Sequence, residues 1–170
     1  LRPPGSTLFP STTLFRSYEA EEVLEHCADS SEIMIMGILY DQDIGWAVEQ
    51  GIEFYVFNYD RLQLVLEVAQ RLKKKAKVHL EVETGTNRTG MTEPWFKKSV
   101  AFLKKHQEHF DFQGLCTHLG GAESRSNQFR IDQQINRYKA YLTELKKRKY
   151  MPKYRHIACS AAVLAMPETH

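Results

Sequence analysis

The stretch VHLEVETGTNRTG, residues 78–90, decides the fold, because in it a strand of alternating side chains runs into a polar loop. Alternation places His79, Glu81 and Glu83 on one face of this strand and apolar side chains on the other. A strand that offers an apolar face to covering helices and carries polar groups towards its end is typical of a parallel sheet. We therefore expect functional groups at the carboxyl ends of the strands.

Four further stretches of strand length flank this one, and amphipathic stretches separate them. The clearest predicted helices span about Asp60–Lys73 and Gln128–Lys147, and another opens at Thr92 as N-cap with Pro94 in its first turn. A short helix is expected to start near Ser160. The five predicted strands are Glu32–Met36, Glu53–Phe57, Val78–Glu83, Phe112–Thr117 and Tyr154–Ala158.

Two α/β architectures fit five strands separated by helices: part of a (β/α)8 barrel, or an open doubly wound sheet. Residues 18–170 are too few for a closed barrel, which takes about 250 residues. A barrel of this length is therefore incomplete. No GxGxxG follows the first strand and no Walker loop is present, which weakens the nucleotide-binding form of the open sheet.

Residues 1–17 differ in composition from the rest, being rich in Ser, Thr and Pro and free of acidic residues. The prolines at positions 3, 4 and 10 argue against the amphipathic helix of a transit peptide. The segment also resembles translated sequencing-adaptor sequence. We therefore predict that residues 1–17 are a foreign or disordered head, and that residues 18–170 form the domain.

Composition argues against several classes of protein. With 42% hydrophobic and 26% charged residues, the chain has the composition of one globular domain rather than of a disordered segment. A net charge of +2, with basic residues grouped near predicted helix ends, argues against nucleic acid as a partner. The longest apolar run, Ile33–Leu39, is too short to cross a membrane. Cys27, Cys116 and Cys159 lack the spacing of a zinc site or a disulfide framework, which favours a reducing cytosol.

Three predicted strand ends carry candidate catalytic or ligand-binding residues. Arg88 lies in the first loop, and His118 precedes a glycine pair that lets the chain turn close to a ligand. Ser160, after Cys159, begins a helix whose backbone N–H groups suit a phosphate. Each has an ordinary alternative: His118 as a structural hydrogen-bonding residue, Ser160 as a helix cap, and Arg88 in a salt bridge with Glu81. No metal site is predicted, and no role is assigned to His79, His106, His109 or His156.

These three segments resemble the alanine racemase family, pyridoxal-phosphate enzymes of fold type III with a (β/α)8 barrel followed by a β-rich domain. Residues 83–90, ETGTNRTG, are similar to the D-T-G-x-x-R-x-G pattern of the family. Residues 117–118 and Gln128–Tyr138 resemble its T-H segment and the helix that follows. Ile157–Pro167 resembles its N-S-A-A segment, with Cys159 in place of the usual Asn. The resemblance implies a partial (β/α)8 TIM barrel with about five parallel strands.

The resemblance also implies roles for individual residues. Arg88 would contact the phenolic oxygen of the cofactor and the region of the substrate carboxylate. His118 would stack against the pyridine ring, and Ser160, beside Cys159, would hold the phosphate. Many members carry a carbamylated lysine at the place of Glu81, whose permanent carboxylate would orient Arg88 in the same way.

By this resemblance, the expected activity is that of a cytoplasmic alanine racemase that supplies D-alanine as a peptidoglycan precursor. It would interconvert L- and D-alanine through an external aldimine of pyridoxal 5'-phosphate, in a homodimer. The lysine base of the family lies upstream of Tyr18 and its tyrosine base beyond His170, so we expect a fragment that is inactive alone. The alternatives are a broad-specificity amino-acid racemase, a non-catalytic barrel that binds pyridoxal phosphate, or an unrelated interaction module.

Overall fold

The computed structural model describes residues 11–14, 17–26, 32–157 and 159–165. Its six strands form one parallel sheet: β1 (Ser11–Leu14), β2 (Glu32–Ile35), β3 (Glu53–Val56), β4 (Ala76–Glu81), β5 (Phe110–Cys116) and β6 (Tyr154–His156). The helices are α1 (Ser17–His26), α2 (Ile44–Glu49), α3 (Tyr59–Leu72), α4 (Glu93–Lys105), α5 (Gln128–Arg148) and α6 (Ser160–Ala165). No helix among the described residues is both long enough and apolar enough to cross a membrane.

The order of the strands decides between the two architectures. Each strand pairs in parallel with the next one along the chain, from β1 to β6. A doubly wound sheet reverses its strand order at a switch point, and no such reversal occurs here. Because right-handed crossovers then place the connecting helices on one face, the sheet curls into an arc of a (β/α)8 barrel. The predicted partial barrel is confirmed, and the open doubly wound sheet is wrong.

All five predicted strands are present, with ends within two residues of the expected positions. The number of strands differs, because β1 lies inside the head that the sequence analysis left out of the fold. Ser11 pairs with Glu32 and Leu14 with Ile35, so residues 11–14 extend the sheet. A four-residue edge strand is too short to change the composition of a 17-residue window, although its threonines and leucine favour extended backbone. Residues 1–10, 15, 16, 27–31, 158 and 166–170, among them Cys27, lie outside the described part. The foreign origin of the head stays a prediction.

The hydrophobic core lies between the sheet and its covering helices. Val78 and Leu80 of β4, Leu62 and Val65 of α3, and Phe96 of α4 are all fully buried in it. The opposite face of β4 carries polar side chains that are buried as well. His79 and Glu81 are only 1% and 3% exposed. The predicted alternation is therefore correct, and the inner face of the arc is both polar and shielded from water.

Two helix starts show how local sequence sets the elements. Asn58 caps α3, since its side-chain oxygen accepts a hydrogen bond from the Arg61 N–H at 2.9 Å. Thr92 is the N-cap of α4, as predicted, and Pro94 lies in the first turn. The Thr92 side chain makes no capping hydrogen bond, so the fixed backbone of Pro94 is the stronger signal for this helix start.

Candidate active site

A cavity of about 440 Å³ opens at the carboxyl ends of strands β2 to β6. Four of the five site residues proposed from sequence line it, although they come from one strand end and three different loops: Glu81, Arg88, His118 and Cys159. The fifth, Ser160, directly follows Cys159 and begins α6. The side chain of Ser160 is outside the part that the structure describes. The cavity is where a barrel of this type carries its chemistry.

Glu81 is the buried acid of the cavity. Its Oε1 accepts a hydrogen bond from the Thr89 hydroxyl at 2.7 Å. Burial raises the pKa of the Glu81 carboxyl, while the Thr89 hydrogen bond and the nearby charge of Arg88 act in the opposite direction. Among the ion pairs between described residues there is none that joins Glu81 to Arg88. Arg88 is exposed. The simple salt bridge is therefore absent, and the two groups interact only through their charges.

His118 is an exposed imidazole at the rim of the cavity. Partial burial, together with the positive charge of Arg88, lowers its pKa from the ordinary value near 6.5. The ring is therefore mostly neutral at pH 7. A neutral, flat and accessible ring beside a guanidinium is suited to stacking on an aromatic ligand that carries an anionic group.

The loop between β4 and α4 folds back against the end of β4. Gly90 has φ of +103°, and a Cβ on it would lie 2.7 Å from the carbonyl carbon of Val82. Only glycine fits this contact. The Glu83 carboxylate accepts hydrogen bonds from the Gly85 N–H and, at 3.3 Å, from the Thr86 hydroxyl. These contacts fix the loop that presents Arg88.

Helix α5 fastens this loop to the loop that carries His118. Arg137 donates to the Thr84 carbonyl at 3.0 Å. Buried Gln134 accepts from the Gly120 N–H at 2.9 Å and donates to the Gly120 carbonyl at 2.8 Å. The Thr84 and Thr117 hydroxyls lie 2.9 Å apart. The positions of Arg88 and His118 are thus coupled through one helix.

A second group of polar residues, the buried row, leads into the cavity from the inner face of the sheet. It comprises Glu53, His79, His156 and Tyr55. Glu53 Oε2 lies 2.6 Å from His79 Nε2, His79 Nδ1 lies 3.1 Å from His156 Nε2, and His156 Nδ1 lies 3.3 Å from the Tyr55 hydroxyl. Burial and the charge of His79 lower the pKa of His156 to about 4. Within the described residues, no group of three or more His, Cys, Asp or Glu side chains is placed to hold a metal ion.

Comparison with known proteins identifies the family. Residues 12–170 match the family described as alanine racemase, N-terminal domain. The chain belongs to the alanine racemase family. An alanine racemase of Limosilactobacillus reuteri is 32% identical over 154 residues, which cover 88% of this chain and 40% of that protein. One of Methanococcus maripaludis is 29% identical over 157 residues, which cover 91% of this chain and 41% of that protein.

Solved alanine racemases share the fold. The structure from Streptomyces coelicolor A3(2) matches with a TM-score of 0.87 at 22% identity, over 95% of this chain and 43% of that one. The structure from E. faecalis matches with a TM-score of 0.79 at 26% identity, over 93% of this chain and 42% of that one. The chain therefore spans about 40% of the length of the alanine racemases that it matches.

The segments that resemble alanine racemases in sequence meet at the one cavity described above, but the buried row was missed. The sequence placed His79 on the inner face of β4 and assigned no role to it or to His156. Its partners could not be found, because Glu53 and His156 lie 26 and 77 positions away along the chain. One signal was available: Gly114, inside a strand, faces His79 in register.

Proposed function

We propose that the chain forms the cofactor-binding part of a longer alanine racemase that interconverts L- and D-alanine with pyridoxal 5'-phosphate. The supporting observation is that Glu81, Arg88, His118 and Cys159 line one cavity. The likeness to proteins named alanine racemase gives the substrate. Homodimerisation and a cytoplasmic location are part of the same proposal.

The residues present fit this cofactor. A cavity of about 440 Å³ lies within the usual range for small-molecule sites. A neutral imidazole, a guanidinium and the start of a helix suit the pyridine ring, the phenolic oxygen and the phosphate respectively. When bound, pyridoxal phosphate supplies an electron sink that makes the α-proton of an amino acid removable.

Arg88 and Glu81 would recognise the anionic side of the ligand. The Arg88 guanidinium offers paired N–H donors to the phenolic oxygen and to the amino-acid carboxylate. The Glu81 carboxylate, held by Thr89 at 2.7 Å, orients Arg88 through its charge and takes the place of a modified lysine. As Arg88 approaches, its charge favours the ionised form of Glu81, in the direction opposite to burial.

His118 and the β6–α6 segment would hold the ring and the phosphate. Stacking needs the neutral imidazole that Arg88 and burial favour at His118. Val163 N–H bonds to the Cys159 carbonyl, so the N–H groups of residues 160–162 precede the first bond of this helix. We assign the phosphate to these groups and to Ser160. Cys159 supplies the adjoining contact in place of an asparagine.

The described lining of the cavity contains no lysine, and we infer that the proton-transferring groups of a racemase lie outside it. Burial raises the pKa of Tyr55, its one tyrosine, so this residue stays a phenol at pH 7. A racemase needs a proton acceptor and a proton donor at its substrate. We therefore expect no racemisation by the 170-residue chain alone, and activity only in a longer protein that adds these groups.

The test is D-alanine formation from L-alanine by the full-length protein that carries this chain, with pyridoxal phosphate added. We expect racemisation in the full-length protein and none in the isolated chain. Cofactor binding without racemisation would instead support a non-catalytic binding barrel. Comparable rates on many amino acids would support a broad-specificity racemase. A folded protein that shows neither binding nor racemisation contradicts the proposal.

A further inference from the structure

The buried row crosses the inner face of the sheet from its interior to the cavity, and the proposed function uses none of its members. Glu53 and Tyr55 come from β3, His79 from β4 and His156 from β6. Glu53 and His79 are 4% and 1% exposed, so they lie away from water. Tyr55 and His156 line the cavity. The row therefore connects a buried acid to the surface that a ligand would contact.

A glycine in the intervening strand makes the row continuous. β5 lies between β4 and β6, yet the rings of His79 and His156 touch across it. Gly114 of β5 pairs with His79, and a Cβ at position 114 would lie 2.0 Å from Nδ1 of His79. Any side chain there would displace the ring. The contact between the two histidines therefore depends on a residue without a side chain.

The hydrogen bonds of the row can run in two directions. Each ring nitrogen either donates or accepts, depending on whether it carries a proton. If His79 has a single proton, on Nε2 towards Glu53, then His156 must donate to His79 and Tyr55 must donate to His156. If His79 has two protons, it donates to both neighbours, and His156 accepts at Nε2 and donates from Nδ1 to Tyr55.

Charge balance favours two protons on His79. With one proton there, the row contains a buried carboxylate and no cation. The charge of Lys153 also reaches Glu53, but Lys153 is exposed and pairs with Glu32, so it compensates Glu53 weakly. Oε1 of Glu53 has no hydrogen-bond partner, so the 2.6 Å contact from His79 is the main stabilisation of this acid. An unpaired buried carboxylate is destabilising, whereas one paired at this distance is compensated. The ring nitrogen of His79 then donates to the carboxylate in a charge-assisted hydrogen bond, which is shorter and stronger than one between neutral groups.

The contacts of Tyr55, at the cavity end of the row, fit hydrogen-bond donation from His79 to His156 and from His156 to Tyr55. The Tyr55 hydroxyl faces the thiol of Cys116, whose own proton goes to the Leu80 carbonyl at 3.4 Å. The sulfur is then available as an acceptor for Tyr55. This leaves the Tyr55 oxygen to accept from Nδ1 of His156. The other titratable groups that face Tyr55 are those of Glu81 and Tyr138.

We propose that Glu53 and His79 are positioning residues that set the protonation of the cavity surface. Glu53 keeps both ring nitrogens of His79 protonated, and His79 holds His156 as a neutral ring protonated on Nδ1 alone. The additional proton is thereby held on His79, which contacts the lining residue His156, while the surface formed by His156 and Tyr55 stays uncharged.

This arrangement makes the distribution of charge in the cavity uneven. With His118 and His156 neutral, Arg88 is the one cation among the described lining residues. The anionic atoms of a ligand that lie near the β4–α4 loop are then attracted by Arg88, whereas His156 contributes no charge to the cavity. This last step rests on the proposed function, because it concerns the ligand. The protonation of the row does not.

The experiment is nitrogen NMR of the histidine side chains in the full 170-residue chain at pH 7, with 15N-labelled histidine. We expect two protonated ring nitrogens on His79, and one on His156, at Nδ1. Glu53→Gln removes the balancing charge and should remove one proton from His79. Glu67→Gln, which neutralises an exposed acid on α3, is the matched control and should leave both rings unchanged.

The wild-type spectrum decides the question even if Glu53→Gln does not fold. A singly protonated His79 in the wild type overturns the proposal, and so does an unchanged His79 in folded Glu53→Gln. Adding pyridoxal phosphate to the full-length protein that carries this chain separates the two claims. Absence of binding, with His79 doubly protonated, counts against the proposed function and leaves the row as assigned.

Discussion

At the scale of single residues, Glu81 is a position where the resemblance to the family predicts a different residue, a carbamylated lysine. It is a buried acid whose hydrogen-bond partner is Thr89 and whose charge interacts with Arg88. Glu81→Gln keeps the shape and the hydrogen bond but removes the charge that we propose orients Arg88. We expect racemisation by the full-length protein to fall about 100-fold, the effect of a misplaced substrate-positioning group.

Steady-state kinetics with L-alanine measure this effect, and Glu67→Gln serves as the control, because it neutralises an exposed acid on α3 that does not line the cavity. Unchanged kinetics in Glu81→Gln would mean that the carboxylate has no part in orienting Arg88. The family resemblance would survive that result, but the assigned role of Glu81 would not.

Gly114 is the residue that allows the rings of His79 and His156 to touch across β5. In Gly114→Ala, the new Cβ would lie 2.0 Å from Nδ1 of His79, so the ring or the strand must move. We expect a loss of about 1–3 kcal/mol in the free energy of unfolding, as for other overpacked cores. Gly45→Ala on α2 is the control. Its Cβ would meet nothing closer than 3.9 Å, and alanine favours a helix by about 0.5–1 kcal/mol. Urea unfolding of both variants tests the contrast, and equal stabilities would contradict it.

His156 should make stability depend on pH. Burial and the charge of His79 lower its pKa to about 4, whereas an exposed histidine of the unfolded chain titrates near 6.5. Between these values the unfolded chain binds the additional proton, so stability falls as the pH falls. From pH 7 to pH 4.5, the wild type should lose on the order of 1–3 kcal/mol more than His156→Gln. Glu81, whose raised pKa acts in the opposite direction, is present in both proteins and cancels in the comparison.

Urea unfolding at the two pH values, followed by tryptophan fluorescence, gives the difference. Parallel pH dependences for the wild type and His156→Gln would show that the ring is not held in a low-pKa environment.

At the scale of elements, the fastening of two loops by α5 is what brings Arg88 and His118 together. Gln134 makes two hydrogen bonds to the backbone of Gly120 and is 1% exposed. Gln134→Leu leaves the polar groups of Gly120 without these partners, which should cost about 1–3 kcal/mol. Gln133→Leu changes an exposed position on the same helix and is the control. Urea unfolding should show a lower midpoint for Gln134→Leu alone. Similar midpoints for both variants would show that the Gln134 hydrogen bonds do not stabilise the two loops.

The sequence was most informative about the positions of helices and strands. The periodicity of α5 and the alternation in β4 are local patterns, and both structures formed where they were expected. β1 was missed because four residues at the edge of a sheet gain their stability from pairing with β2, a contact that composition does not reveal.

The candidate site was predictable only in part. Glu81 ends a strand, and Arg88, His118 and Cys159 each follow one, so the parallel order of the sheet was enough to expect them together. The buried row was different, because Tyr55 and His156 are 101 positions apart and meet only in the folded arc. A side chain that crosses a strand over a glycine has no signature in local pattern.

At the scale of the whole molecule, the described part of the chain is an arc of six strands, and the chain spans about 40% of the length of its relatives. The arc assembles the cavity from five strand ends. Under the proposed function, the groups that hold the cofactor lie in this arc, and those that move the α-proton lie outside its described lining. Cofactor binding and catalysis therefore need separate tests.

The most direct test of the central claim is the affinity of the full-length protein for pyridoxal 5'-phosphate, measured from the change in cofactor absorbance. His118→Ala removes the proposed stacking ring, and His109→Ala removes a histidine between α4 and β5, away from the cavity lining. We predict that His118→Ala weakens binding about tenfold, the value of an aromatic stacking contact, and that His109→Ala binds like the wild type. Equal affinities in the two variants, or no binding by the folded wild type, would contradict the assignment of this cavity to the cofactor.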